Sequence, residues 1–376
     1  MKIAIVVNSA WAAYNFRMNL ARSISKEGND VIFVIPYDNV YSEKIKLHFK
    51  CYNLVINPMS LNPLKELKTF FYLLSIYKKI KPDLTCHFTI KLNIYGSIAS
   101  WFLRIPNIAN ITGLGSAFLD KGFYKFFAQF LYKQSLSFSS KVFIQNNEDL
   151  KFFIEEKITK KSMVELVPGS GVDLNKFKFN PYIRNSNKFI FLMISRVIKD
   201  KGIYEYIDAI KIIKKTKIYD SVEFQLLGEI NSANNSVIKK TELDEWIKDD
   251  LIKYLGMNDK VENSIKDSNC IVLPSYREGM PRAILESFAI GRPAIVSNVA
   301  GCKEIVDHEK NGLICHVKSS KDLAQKMIMM LELSDETRLR YGENGRKKVE
   351  SKFDEKIVIN AYLKSINNIL QYEKNI

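Results

Sequence analysis

Glu278 and Glu286 stand on either side of a Gly279-Met280-Pro281 corner in SYREGMPRAILESFAIGRP, residues 275–293. Upstream, SRVIKDKG at 195–202 carries Arg196 and Lys201. Two cations and two carboxylates in this arrangement suit a ligand that is anionic at one end and rich in hydroxyls at the other. Arginine supplies a fork of donors and lysine a point charge, so the pair can neutralise a diphosphate. A carboxylate can accept hydrogen bonds from two neighbouring hydroxyls, as a ribose diol offers; Glu286 suits that task, and Glu278 at the corner can reach a second polar group. Each feature also has a plainer explanation. Glutamate is common near helix N-termini because of the helix dipole, and cations in loops are ordinarily solvated.

Such chemistry needs elements that hold the four side chains at strand-to-helix turns. CIVLP, 270–274, reads as a buried strand. Pro281 suits the first helical position, where a missing N–H costs nothing. RAILESFAI carries the helix, Gly291 ends it and Pro293 bars its continuation. The helix thus starts at the carboxyl end of a strand, where parallel sheets bind ligands; its free N–H groups favour an anion, and Gly279 lets the backbone come close. In the same way KFIFLMIS, 188–195, precedes the Arg196–Lys201 loop, and a helix follows from about Ile203 to Lys215.

The same alternation runs through the whole chain. KIAIVVN (2–8), VIFVI (31–35), PDLTC (82–86), NIANI (107–111), KVFIQN (141–146) and MVELVP (163–168) read as strands with helical stretches between them. The pattern restarts at 188 and continues through VEFQLLG (222–228), IKYLG (252–256), CIVLP and PAIVS (293–297). This predicts an α/β fold of two doubly wound domains facing a central cleft. A polar connection near 175–187, with Pro181, sets the expected limits at 1–180 and 186–352, followed by a terminal helix, 353–376, that packs back on the first domain.

A chain of 376 residues, 47% of them hydrophobic, is long enough for two cores. Its formal charge of +15 fits anionic partners. There is no compact Lys/Arg block and no zinc-finger spacing, which argues against nucleic acid. The five cysteines are scattered and odd in number, which reads as a reduced, cytoplasmic setting. MKIAIVVNS lacks the form of a signal peptide, and the uncharged stretch Leu92–Leu103 is too short to span a bilayer. No two aspartates stand two apart and no Cys/His ligand spacing occurs, so no metal or cofactor is expected. Of the four histidines, His87 ends a predicted strand; it reads either as a polar core residue or as a participant in chemistry.

SRVIKDKG, LLGE (226–229), YLG (254–256), the stretch around Glu278 and Glu286, and VAGCKEIVDHEKNGLI (299–314) together resemble retaining glycosyltransferase family 4 in order and spacing, across about 188–330. The resemblance implies a GT-B fold, two Rossmann-like domains with the donor in the second. It implies that Arg196 and Lys201 hold the donor diphosphate and that Glu278 contacts the donor sugar beside Gly279, Met280 and Pro281. Glu286 would hold the ribose, with Ala283 and Ile284 on the donor side and Met257 near the uracil. The block FTIKLNIYGSIASWFLRIPNIANITGLGSAFLDKG (88–122), with LNPLKELKTFFYLL (61–74), resembles a subgroup that elongates undecaprenyl-diphosphate-linked sugars, including N-acetylgalactosaminyltransferases of bacterial N-glycosylation and enzymes of O-antigen and capsule assembly. Asn8, Trp11, Lys91, Thr112 and Gly113 would lie on the acceptor or sugar side. The chain departs from the family's pattern in three places: Asn8-Ser9-Ala10-Trp11 replaces a Gly-Gly pair, Asn110-Ile111-Thr112-Gly113 replaces a His-Gly pair, and Thr112 stands where an acidic residue is usual. These leave the sugar contacts and any histidine-assisted step open without touching the diphosphate site.

The expected substrates are therefore a UDP-sugar donor and a polyprenyl-diphosphate-linked acceptor, with the protein peripheral on the cytoplasmic face of a bacterial membrane. Two stretches rich in aromatic and basic residues, 61–81 and 121–141, fit an anionic membrane surface; they also fit buried rings with solvated lysines. A nucleotide-sugar 2-epimerase of the same architecture and a non-catalytic membrane adaptor are the alternatives.

Overall fold

The apolar runs pair side by side into two separate parallel sheets in the computed structural model, which describes residues 1–57, 62–113, 123–181, 188–230 and 236–374. Leu61, residues 114–122 of the 88–122 block and residues 182–187 of the polar connection lie outside the described residues, as do the side chains of Phe123, Tyr124, Lys125, Phe126 and Phe127. The first sheet contains β1 (Lys2–Val6), β2 (Asp30–Ile35), β3 (Lys50–Asn53), β4 (Leu84–Phe88), β5 (Asn107–Ile111), β6 (Lys141–Ile144) and β7 (Val164–Leu166), in the order β3-β2-β1-β4-β5-β6-β7. Between and around them run α1 (Ala10–Lys26), α2 (Tyr41–Lys46), α3 (Pro63–Ile80), α4 (Ile90–Phe102), α5 (Phe123–Ser137) and α6 (Asn147–Glu155).

The second sheet contains β8 (Phe189–Ile194), β9 (Val222–Leu227), β10 (Lys253–Gly256), β11 (Cys270–Leu273), β12 (Ala294–Ser297) and β13 (Gly312–Cys315), in the order β10-β9-β8-β11-β12-β13. Its helices are α7 (Ile203–Lys214), α8 (Lys240–Lys248), α9 (Val261–Asp267), α10 (Arg282–Ile290), α11 (Ala300–Ile305), α12 (Ser320–Glu332) and α13 (Asp335–Lys352); α14 (Glu355–Lys374) closes the chain. Strands β3 and β13 were not expected from the sequence.

Both sheets are covered on both faces because their central strands are mostly apolar, are buried along nearly their whole length and send alternate side chains to opposite sides. In the first unit Ile3 and Ile5 pack on the α1 and α14 side, among Ala13, Leu20, Tyr362 and Ile366. Ala4 and Val6 pack on the opposite side, with Leu73, Tyr77 and Leu92. The terminal helix is further fixed by Asn110, whose Nδ2 donates to Tyr362 Oη at 2.7 Å.

The chain divides into Met1–Ser170 with Lys356–Ile376, and Gly171–Glu355. The break at 170/171 lies ahead of the polar connection, where the sequence placed it. Residues 171–181 belong to the second unit because two arginines, one buried and one half-buried, grip them. Arg292 donates to the Asn180 carbonyl at 2.6 Å and to Asn180 Oδ1 at 2.9 Å, and Arg346 donates to the Phe177 carbonyl at 3.0 Å. Among the described residues no helix is long and apolar enough to cross a membrane.

Candidate active site

In each sheet the strand order reverses once, between β1 and β4 and between β8 and β11. Loops leaving the carboxyl ends of such strands part to opposite sides and leave a crevice. Arg196 and Lys201 follow β8, and Glu278 follows β11, so the second reversal gathers three of the predicted residues.

Lys201 reaches Glu278 because the two loops lie in contact. A Cβ on Gly202 would overlap the Pro274 carbonyl oxygen, so the turn at 199–202 sits directly on the end of β11. The Tyr276 N–H donates to the Asp200 carbonyl at 2.9 Å. Lys201 Nζ then donates to Glu278 Oε1 at 2.5 Å, with the side chains 17% and 11% exposed. A pair this withdrawn from water holds together only because each charge offsets the other's desolvation. Arg196 is exposed; its carbonyl accepts from Ile198 N–H at 2.8 Å, but its guanidinium makes no hydrogen bond or ion pair with a described residue and is open to an anion.

Glu286 lies on the second turn of α10, 11% exposed at its side chain, and accepts from Arg282 Nη2 at 2.9 Å and Nε at 3.1 Å. Pro281 is the N-cap, one residue before the first helical position the sequence assigned to it. Helix ends shift by a residue readily, and the Pro281 carbonyl here accepts from Ile284 and Leu285. The preceding corner is backed by α11: a Cβ on Gly301 would overlap the Gly279 carbonyl oxygen, and the Gly301 N–H donates to the Glu278 carbonyl at 3.3 Å. Met280 is partly buried against the core, and Ala283 is partly exposed. Ile284, placed on the donor side by the resemblance, could meet a ligand there only through its backbone, because its side chain points inward. It is wholly buried among Leu273, Phe288 and Val296, because the apolar stripe of α10 turns it to the sheet. Met257 is 50% exposed just beyond β10.

In the first unit Asn8 and Thr112 with Gly113 follow the carboxyl ends of β1 and β5, and Lys91 lies in the first turn of α4 after β4. β1, β4 and β5 are neighbours, so these residues share one edge of the sheet. Trp11, 39% exposed, stands edge-on to Phe16 in the first turns of α1. Lys91 is already engaged: its Nζ donates to Glu66 Oε1 at 2.6 Å and to the Asn57 carbonyl at 2.8 Å, which ties α4 to α3.

Thr89, at the same edge, was not anticipated. Its φ is +79°, rare for a β-branched residue, and its buried Oγ1 has no partner. No sequence signal marks it, because the strain is imposed by the strand-to-helix turn. Arg282 was also missed, although its spacing of four from Glu286 on one helix was a readable sign.

His87 is a core residue. Tyr77 Oη lies 3.0 Å from its Nε2, and a Cβ on Gly96 would press on the ring. Burial lowers its pKa from 6.5 to about 3. An unfolded chain therefore takes up a proton between those values that the folded chain refuses, so stability falls with acidification through that window. The loss is expected to be about 1.4 kcal/mol per pH unit well below 6.5. Urea unfolding at pH 7.5, 6 and 5 should show this extra slope in the wild type and lose it in His87→Gln.

The family described as Glycosyl transferases group 1 matches residues 175–348, and the family described as Glycosyl transferase 4-like matches residues 2–146. The N,N'-diacetylbacillosaminyl-diphospho-undecaprenol alpha-1,3-N-acetylgalactosaminyltransferase of Campylobacter jejuni is 29% identical over 99% of this chain and 100% of its own length. The UDP-Gal:alpha-D-GlcNAc-diphosphoundecaprenol alpha-1,3-galactosyltransferase of Escherichia coli is 28% identical over 77% of this chain and 76% of its own. Among solved structures, sucrose-phosphate synthase from Thermosynechococcus elongatus matches with a TM-score of 0.79 at 16% identity, over 99% of this chain and 100% of that one. Anabaena Alr3699/HepE in complex with UDP matches at 0.77 and 19%, over 98% and 100%. Both share the fold, two parallel sheets each covered by helices. The chain is a glycosyltransferase with the GT-B fold, its first unit matched by the Glycosyl transferase 4-like family over 2–146 and its second by the Glycosyl transferases group 1 family over 175–348.

Proposed function

We propose that the protein transfers N-acetylgalactosamine, or a related N-acetylhexosamine, from its UDP conjugate to an undecaprenyl-diphosphate-linked amino sugar. The bond formed is an α-1,3 linkage with retention, in the assembly of a lipid-linked glycan such as an O-antigen or capsule precursor. The observation that carries this reading is the end-to-end likeness to the Campylobacter enzyme, whose name states an α-1,3 transfer of N-acetylgalactosamine to a diphospho-undecaprenol-linked sugar.

The geometry supplies parts for it. Arg196 and Lys201, with the N-terminus of α10, face the donor diphosphate; Glu286 takes the ribose diol, and Met257 lies beside the uracil. Glu278, with the backbone of Gly279 and Met280, holds the donor sugar. Asn8, Trp11, Thr112 and Gly113 line the acceptor side. In the step itself the acceptor hydroxyl oxygen bonds to the anomeric carbon as its bond to the β-phosphate oxygen breaks. Leaving on the face of attack, that phosphate oxygen takes the hydroxyl proton. Negative charge grows on the departing UDP, and fixed cations and helix N–H groups stabilise it without reorganising.

Those groups replace a divalent ion in this scheme. Turnover is expected to be the same in EDTA as in buffer; loss in EDTA with rescue by magnesium would overturn the metal-free scheme.

A peripheral position on the cytoplasmic face of the membrane is supported by the α3–α4–α5 layer. α3 exposes Leu64, Leu67 and Phe71, and Trp101 and Phe102 are exposed at the end of α4. The rings of Phe71, Phe70, Phe102, Trp101 and Phe138 touch in series, with centroids 4.5–6.0 Å apart. Among the described residues the exposed charges on α3, α5 and the turn after α4 are Lys65, Lys68, Lys78, Lys79, Arg104 and Lys133, all cationic. Rings beside cations fit an anionic lipid interface.

The test is a panel of UDP-sugars with short-chain polyprenyl-diphosphate N-acetylhexosamine acceptors, products being read by mass and NMR. An α-1,3 disaccharide from UDP-N-acetylgalactosamine is expected. Conversion of the UDP-sugar without acceptor would replace the transferase by an epimerase, and no turnover with any pair would favour an adaptor.

A further inference from the structure

We infer that Arg282 is a positioning residue for recognition of the nucleotide's ribose, acting through Glu286 and anchored on the carbonyl of Gly171. The inference rests on the reading of Glu286 as the ribose carboxylate.

Arg282 uses two faces of its guanidinium. Nε and Nη2 both donate to Glu286 Oε1, at 3.1 and 2.9 Å, while Nη1 donates to the Gly171 carbonyl at 2.7 Å. The second contact fixes the plane of the fork, and the first then fixes the carboxylate. Glu286 Oε2 accepts nothing from a described residue and is not among the buried unsatisfied atoms, so it stays open to solvent. The carboxylate is thereby held by one oxygen and presents the other, as a group reading a diol should.

The anchor is itself rigid. Gly171 has φ +66°, and a Cβ there would overlap the Glu355 backbone. Its neighbour Val172 is bonded to the same segment, donating to the Phe353 carbonyl at 2.9 Å and accepting from the Glu355 N–H at 3.1 Å. A side chain pinned at both ends does not have to be ordered when nucleotide binds. Without Arg282, a carboxylate that is nearly buried loses its counter-charge and its fixed rotamer together. Lysine has one point donor and can satisfy Glu286 or Gly171, but it lacks the fork that spans both.

The test compares UDP with 2′,3′-dideoxy-UDP by calorimetry on the full chain. The wild type should prefer UDP by at least about tenfold, the worth of hydrogen bonds to a charged group. Glu286→Gln should abolish that preference. Arg282→Gln should lower UDP affinity about tenfold and leave the dideoxy nucleotide within twofold, the retained dideoxy binding reporting an intact site; Arg282→Lys should fall between. If Arg282→Gln binds neither nucleotide, Arg282→Lys is judged by the same ratio. A full ribose preference in the readable variant, with the preference lost in Glu286→Gln, overturns the role of Arg282 alone. A preference intact in Glu286→Gln overturns the ribose reading itself.

Discussion

Lys201→Ala is expected to lower turnover by at least about 100-fold and to weaken UDP, whereas Glu278→Gln is expected to lower turnover while strengthening UDP. The opposite signs follow from the 2.5 Å pair between Lys201 and Glu278. Without nucleotide, Lys201 is the counter-charge of a nearly buried carboxylate. In the proposed scheme bound nucleotide also draws on Lys201 through its diphosphate, so Glu278 competes for it. Removing Lys201 leaves Glu278 unpaired, at a cost of about 3 kcal/mol to folding, and takes a fixed positive charge from the leaving group, an effect worth 10²–10³ in rate for comparable groups. In the same scheme, removing the charge of Glu278 frees Lys201 for phosphate but deprives the donor sugar of its proposed holder. Calorimetry with UDP and a saturating turnover assay separate the two; equal weakening of UDP in both variants would mean the pair does not meet the diphosphate.

The site was legible in sequence as far as each loop taken singly, and not in its pairings. Strand, turn and helix signals around residues 188–202 and 270–293 are local, so the positions of Arg196, Lys201, Glu278 and Glu286 at carboxyl strand ends could be read directly. The contact between Lys201 and Glu278 joins residues 77 apart, and nothing local encodes it. The unit boundary failed for the same reason: Arg292 holds Asn180 from 112 residues away, so the polar stretch that looked like a linker is a strap on the second unit. β3 was missed because KCYN is short, mixed in polarity and at the sheet edge; β13 opens on a glycine, Gly312, that packs against the Ala294 carbonyl. Ile284 was assigned to the donor side by family resemblance, though the apolar stripe of its own helix already pointed its side chain to the core.

Two glycines near the nucleotide loops answer differently to the same substitution, and the contrast tests the packing of the site. Gly228 follows β9 where a Cβ would overlap the Ser195 carbonyl oxygen. Neither backbone can yield cheaply. Ser195 N–H donates to the Leu227 carbonyl and Val197 N–H to the Glu229 carbonyl, each at 3.0 Å. Gly228 is held from its other side, donating to the Gly256 carbonyl at 2.8 Å and accepting from Tyr254 Oη at 2.7 Å. Gly228→Ala must therefore break bonds on one side or the other, and is expected to destabilise the fold by about 4 kcal/mol, in the range reserved for backbone overlap in a packed interior. Because the loop that yields carries Arg196, UDP affinity should fall with it. Gly256 has φ +67° but nothing within 4 Å of a built Cβ; Gly256→Ala bears only the left-handed conformation, about 1–2 kcal/mol. Urea unfolding of the two variants should differ by at least about 2 kcal/mol; equal losses would show that β9 and the Ser195 loop are not in contact, and the Arg196 loop would lose the support on which its placement depends.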